Sequence, residues 1–349
     1  MSKTQQKVWA RCGGLSVLLV LCLSACAPEP IVPVSTPSAL PTPAATAAPV
    51  EIALAPLTGR ADTRGAVSSA SISAKIDNHP AARPQAALQL SDIVFEELVE
   101  GGMTRYLAVW QSQIPVELGP VRSIRPMDPD IISSFGGIIA YSGGQDRFVA
   151  MMQDTAVVNA VHGQPDTEDT FYRSADRSAP HNVMVLAQEV LAEHGDLAAP
   201  AQQFTYAASA APASASAAGA ATAALSLAFS DSSQRGWTWD ATTLGWSRSQ
   251  DGVADLDTDG ISISATNVVT LRVPVTVSED IPKSELIGSG EAWVSSGGFT
   301  VHATWSKSTA TEPFVLTDDA GAPIRLEPGN TWVELVPVAG SVELVGLAP

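Results

Sequence analysis

Apolar and polar positions along this chain fall into distinct patterns, each predicting a different kind of segment. Residues 71–76 alternate with a period of two and predict a strand. Residues 93–99 and 104–110 predict two more, joined at Gly101-Gly102, a two-residue hairpin signal. Residues 137–141 are apolar throughout and predict a short buried strand. Residues 84–90 predict a short helix, and residues 183–194 a longer amphipathic one stopped by Gly195. Beyond residue 225 the helical spacing disappears. Strands are predicted at 225–229, 268–277, 291–294, 299–305 and 331–336, separated by Asp251-Gly252, Gly297-Gly298 and Pro328-Gly329.

One apolar run is of another kind. Residues 15–23 are almost wholly apolar, follow Lys3, Lys7 and Arg11, and end in Leu23-Ser24-Ala25-Cys26. The run is short of the roughly 20 residues a membrane span needs. A basic start, an apolar centre and small residues at a cut are the marks of a secretory signal peptide. The tetrapeptide resembles a lipobox, which places a diacylglycerol on the sulfur of Cys26. Residues 27–50 are rich in Pro, Ala, Thr and Ser. Such a segment buries too little apolar surface to offset its ordering entropy and acts as a semi-rigid spacer.

Composition then divides the chain. The reading is a signal peptide at 1–25, a lipidated Cys26 and disordered tether at 26–64, and an N-terminal mixed α/β domain at 65–202. An Ala/Ser-rich linker or insert follows at 203–224, then a β-rich C-terminal domain at 225–349, the whole being of the α+β class. The three cysteines are Cys12, Cys22 and Cys26, so the domains carry no thiol for a disulfide, a thiolate metal site or a nucleophile. The formal net charge is −17, and losing the three basic residues of the signal leaves 16 basic against 36 acidic residues. So acidic a chain is repelled by nucleic acid phosphate, which excludes nucleic acid as a partner unless a local basic site overrides the field.

Several motifs carry a family resemblance. They are Lys75-Ile-Asp-Asn-His-Pro80 with Arg83-Pro-Gln85, the run from Asp92 to Gly102 with Thr104-Arg105, and Gly119-Pro-Val-Arg122-Ser-Ile-Arg125-Pro126. Tyr141-Ser-Gly-Gly144, Ala179-Pro-His-Asn182, Thr304-Trp-Ser-Lys307 and Gly329-Asn-Thr-Trp332 continue the series. Together they resemble the YerB lipoprotein family over nearly the whole exported chain, with the Ala/Ser-rich stretch as a departure. The resemblance implies an N-terminal α/β domain, a β-rich C-terminal domain and a lipid anchor. It implies no established activity.

Candidate chemistry concentrates in the first block. Strand geometry puts Glu96 and Glu97 on opposite faces of an otherwise apolar strand, and a buried carboxylate needs a partner. A two-residue turn would set Arg105 opposite Leu98 and leave Glu97 for another partner; an odd-length loop would set Arg105 on the Glu97 face. A structural ion-pair network and a ligand-facing acid are both consistent with this. Asp77, Asn78 and His79 end a strand, where His79 suits a base with Asp77 as its orienter, or the three simply make turn hydrogen bonds. Arg122 and Arg125 share a proline-flanked loop and present two guanidiniums to a carboxylate or phosphate, or else pair with the glutamates. Arg83 belongs to the same polar group. Asn182 is placed to cap the helix predicted at 183–194, with His181 just outside it. Asp255, Asp257 and Asp259 copy the opening of a calcium loop, but Thr266 stands where the bidentate glutamate belongs, so an acidic turn competes with that reading.

These residues support a lipid-anchored protein on the extracytoplasmic face of the membrane, without a cofactor, binding a cell-wall polymer or another envelope protein. The alternative is a hydrolase or transferase acting on a wall glycan or peptide. Glu97 or Asp77 would then be the acid/base, with His181 as helper.

Overall fold

The computed structural model describes residues 53–62, 68–208 and 210–346. The apolar run at 15–23, Cys26 and most of the tether lie outside the described residues. In the first block, β1 (Ile72–Asp77), β2 (Ile93–Leu98) and β3 (Thr104–Trp110) form an antiparallel group in the order β2-β3-β1. After β4 (Glu117–Leu118) and α1 (Asp128–Ile132), β5 (Ile138–Tyr141), α2 (Asp146–Gln153) and β6 (Val158–Val161) extend the sheet in parallel from β1. β8 (Val183–Leu186) pairs with β4 on one side and β7 (Phe171–Arg173) on the other in a small separate sheet, and α3 (Ala187–Ala192) follows.

The second block opens with α4 (Ser214–Ala218), β9 (Ala220–Ser230), β10 (Ser233–Asp240) and β11 (Gly245–Gln250). β12 (Val253–Ala254), β13 (Ser264–Ala265), β14 (Asn267–Val273) and the hairpin β15 (Val275–Ser278) and β16 (Ile281–Ser284) come next. β17 (Gly288–Ser296), β18 (Phe299–Lys307), β19 (Val315–Thr317), β20 (Thr331–Pro337) and β21 (Ser341–Gly346) complete it. β20 pairs in parallel with β14 on one side and with β2 on the other, Glu96 lying beside Glu334. The α/β block and the β-rich block therefore share one continuous sheet.

Around β2, β3 and β20 that sheet is covered on both faces, which governs how their sequence reads. Ile93 and Phe95 of β2 join Leu107, Val333 and Leu335 in one core; Val94 joins Tyr106, Ala108 and Trp332 in the other. All residues of β3 and β20 are buried. A polar side chain on either face is out of water and must find a partner. Trp237, Trp246 and Trp305 are fully buried, as their strand spacing suggests.

Several local expectations change. Residues 183–186 are a strand, not a helix: Val183 and Val185 are β-branched and pair with β7 and β4, leaving a helix only over Ala187–Ala192. The helix expected at 84–90 shrinks to a single 3-10 turn, because Ala87 is left-handed (φ 60°). The β2–β3 connection is an odd-length loop over 99–103, with Gly101 and Gly102 both at φ 71°, so Arg105 faces Glu97. The strand expected at 268–277 breaks at Pro274, which has no N–H to give a ladder. The Ala/Ser-rich stretch carries α4 and the start of β9, with Ala213 and Ala215 fully buried.

Candidate functional site

The parallel strands β1, β5 and β6 end on one rim, the place where ligands enter open parallel sheets. β1 and β5 part there, and residues 120–124 fill the split. Asp77 N–H donates to Pro120 O (2.9 Å), Arg122 N–H to Lys75 O (2.8 Å), Ser142 N–H to Arg122 O (3.0 Å) and Ile124 N–H to Gly143 O (3.1 Å). The backbone thereby places Arg122 and Ser123 between Asp77 and Ser142.

Asp77 is the hub. Its Oδ1 accepts the His79 N–H at 3.0 Å, and its Oδ2 lies 2.6 Å from His181 Nδ1 and 3.3 Å from Arg122 Nε. The His79 and His181 rings stack with centroids 4.2 Å apart and planes 12° from parallel. His79 Nδ1 accepts the Ala81 N–H (3.1 Å), so a neutral His79 carries its proton on Nε2. Three residues expected at the site brace it instead. Asn78 donates to Thr104 Oγ1 (2.8 Å) and Gln250 Oε1 (3.1 Å) and accepts from Arg83 Nε (3.0 Å). Arg83 also lies 3.6 Å from Asp251. Asn182 caps no helix; it accepts from Arg173 (2.8 Å) and donates to Ser174 O (3.0 Å), tying the loop that presents His181.

The two neighbouring glutamates part company. Glu97 faces the same side of the sheet as Asp77 and Arg105, and is fully buried with Lys75 and Asp128. Lys75 bonds both carboxylates, 2.8 Å from Asp128 Oδ1, and Glu97 Oε2 has no partner. Burial, and then the Asp128 charge, push Glu97 up to about 8 against the pull of Lys75. One cation holding two carboxylates keeps a proton on one of them. Glu96, on the opposite face, receives Arg235 Nε (2.6 Å), Thr104 Oγ1 (2.6 Å) and Arg248. Burial opposes its charge, but Arg235 and then Arg248 outweigh burial and hold it at about 2. Its neighbour Glu334 rises well above the carboxylate range, through burial and the Glu96 charge, and accepts from Trp237 Nε1 (2.7 Å). Both glutamates belong to buried networks, that of Glu97 lying beneath the rim: Asp128 Oδ2 accepts the Arg125 N–H at 2.5 Å and Lys75 O the Arg122 N–H at 2.8 Å.

The arginines stay near the rim. Arg105 Nη1 and Arg125 Nη1 both donate to Ser123 O, at 2.8 and 3.4 Å, and Arg125 Nε to Glu100 Oε2 at 2.8 Å. Burial first, and then Arg125, bring Arg105 down to about 10. Beside them Ser142 Oγ lies 3.5 Å from His162 Nδ1, and a cavity of about 360 Å³ opens at His162, lined also by Thr167, Glu168 and Phe171. Burial and Arg173 lower the His162 pKa, favouring its neutral form. His162 and Arg173 are not among the candidates the sequence offers, and Ser142 enters there only within the Tyr141-Ser-Gly-Gly144 motif. The readable signal was position: His162 and Ser142 follow apolar strands directly, just as Asn78 follows β1.

The calcium-like loop has other tasks. Asp255 pairs with Arg248 and accepts from Gln250 (3.1 Å), and Asp257 caps its own turn by accepting the Asp259 N–H (2.9 Å). Among the described residues no three acidic or imidazole side chains are placed to hold a metal. A larger cavity, about 500 Å³, runs between the blocks past Arg60, Gln89, Asp92, Ser264 and Asn330. Of its two carboxylates, Asp62 and Asp92, the latter is spent on the N–H groups of Gln111 and Ser112 (both 2.7 Å).

Fold and rim together define an α+β protein whose two blocks share a sheet and whose first block ends in an imidazole–arginine cluster. The chain belongs to the family described as protein of unknown function (DUF3048): the N-terminal domain of that family matches residues 57–200 and the C-terminal domain residues 225–333. It is 34% identical over 128 residues to "Putative lipoprotein YerB" of Bacillus subtilis (strain 168), a stretch covering 37% of this chain and only 38% of that protein. The crystal structure of YerB protein from Bacillus subtilis matches with a TM-score of 0.72 at 23% identity, over 83% of this chain and 99% of that one, and has the same fold.

Proposed function

We propose that this protein is held by a lipid on Cys26 at the outer face of the membrane and binds a cell-wall ligand at the β1–β5–β6 rim without transforming it. Support for the anchor comes from the signal-like run before Cys26 and from the lipoprotein name of the Bacillus relative. Among the described residues no helix is long and apolar enough to cross a membrane. The observation that carries the binding role is the convergence on Asp77 of His181 (2.6 Å), about a hundred residues further along the chain, and Arg122 (3.3 Å), with the His79 ring stacked on His181. An imidazole and a guanidinium gathered on one carboxylate, with a second part-exposed imidazole stacked on the first, is the kind of cluster found at functional sites.

The test is sedimentation of the chain lacking its first 26 residues with purified peptidoglycan, followed by mass spectrometry of the wall. Binding that falls at least tenfold in Arg122→Ala, with no new wall products, is the expected result. Retained binding in that variant overturns the assignment of the rim. The Asp77–His181 pair also has the form of an orienter and a general base. It supports a second reading, hydrolysis or transfer on a wall glycan or peptide, in which wall fragments appear and vanish in His181→Ala.

A further inference from the structure

The rim's chemistry names the group it takes. This inference rests on the binding role just given: we propose that the rim holds a phosphate group, with Arg122 as its principal ligand. Arg122 is anchored by one edge only. Its Nε is buried against Asp77 without a hydrogen bond, its Nη groups bond to no described residue, and its side chain is 24% exposed. A guanidinium fixed at Nε offers its outer nitrogens in the planar fork that fits oxyanions.

Charge selects the class. Arg105, Arg122 and Arg125 surround Ser123. The carboxylates beside them are Asp77, Glu100 and Asp128, whose Oδ2 accepts the Arg125 N–H at 2.5 Å and whose Oδ1 pairs with Lys75. With Glu97 holding its proton, four cations meet three carboxylates, and the rim is locally cationic in a chain of net charge −17. Such a local excess overrides the repulsion that the whole chain exerts on an anion at a distance. A carboxylate would be satisfied by the Arg122 fork alone. The rim offers more: the His79–His181 stack on one side and the Ser142 hydroxyl on the other, the Ser123 hydroxyl being spent on Ser142 O at 3.3 Å. A tetrahedral phosphate has acceptor oxygens for several of these donors and a larger charge. A phosphate carried on a wall polyol and one in a lipid headgroup share this chemistry.

Isothermal titration of the chain lacking its first 26 residues tests it, with inorganic phosphate, glycerol 3-phosphate and acetate as probes. Vesicles of phosphatidylcholine with and without phosphatidylglycerol form a separate arm. We expect both phosphates to bind at least tenfold more tightly than acetate. Arg122→Ala should lose about tenfold or more in phosphate affinity, as befits a charge-assisted contact, and Arg122→Lys should retain part of it. A phosphate-dependent rise in melting temperature, present in the parent chain and absent in Arg122→Ala, separates lost binding from lost folding. Binding of glycerol 3-phosphate but not of vesicles assigns the group to a soluble or wall polyol; vesicle binding that needs phosphatidylglycerol and fails in Arg122→Ala assigns it to lipid. Equal affinity for acetate and phosphate overturns the phosphate proposal. So does phosphate binding indifferent to Arg122. If peptidoglycan binding survives and still depends on Arg122, the binding role stands without the phosphate.

Discussion

At the residue scale the most informative group is Glu97. Each of two adjacent glutamates on an apolar strand needs a cation, and that much is legible from the alternation of 93–99 alone. Which cation each one takes is not, because it depends on the parity of the loop over 99–103 and on Lys75, two strands away across β3. The result is a buried cation shared by two carboxylates, with Glu97 raised from an ordinary 4.5 to about 8 by burial and Asp128. The unfolded chain gives up that proton near 4.5 and the folded one only near 8, so between these values the folded state binds more protons. Stability therefore falls as pH rises from about 4.5 to 8 and levels off above. Glu97→Gln imitates the protonated form at every pH. Thermal melts from pH 5 to 9 should show a downward slope in the parent chain that is shallower in Glu97→Gln, with the variant the more stable of the two above pH 8. Identical slopes would mean that Glu97 ionises freely.

At the element scale the seam between β2 and β20 decides whether the two blocks hold together. Glu96 on β2 is bonded by Arg235 on β10 and Arg248 on β11, all fully or nearly fully buried. Removing one partner of such a set leaves charges uncompensated out of water, at a cost of roughly 3–5 kcal/mol. Glu96→Ala should lower stability by about that amount in urea titration, and by more than Glu100→Ala, whose carboxylate is a third exposed. A loss below about 1 kcal/mol would show that the network is not needed to hold the seam. β1 was readable from the sequence by its period-two alternation, and β2 and β3 because both their faces are largely apolar and their lengths are bounded by polar turns. Residues 183–186 were not, since Val-Met-Val-Leu fits a helical stripe as well as a strand; only the edges of β4 and β7 choose between them. The Ala/Ser-rich stretch hid α4 and half of β9 for a different reason. Alanine carries no pattern, yet Ala220 and Ala221 pair with Thr300 and Phe299 of β18.

At the scale of the whole molecule, a composition break in sequence corresponds to a join in space. The Ala/Ser-rich stretch separates two blocks along the chain, while β20, more than a hundred residues beyond it, returns to lie between β14 and β2. Nothing local in residues 331–337 announces this, because a parallel partner is set by the path of the chain and not by adjacent residues. The join has a consequence for folding. Cut off from the second block, β2 presents an unpaired edge from Ile93 to Glu96, and Glu96 loses both of its arginines. An exposed apolar edge next to an uncompensated buried charge leads to aggregation or to a loosely packed state. Residues 53–202 expressed alone should therefore be insoluble or lack a sharp thermal transition. The longer chain should unfold in one step, with Trp110 of the first block and the Trp237, Trp246 and Trp332 group of the second losing their packing together. Far-UV circular dichroism and tryptophan fluorescence, recorded over one urea series, are the measurement. Coincident curves are the expected outcome; two separated transitions, or a first block that is monomeric and melts cooperatively by itself, would mean that the shared sheet joins two domains that are independently stable.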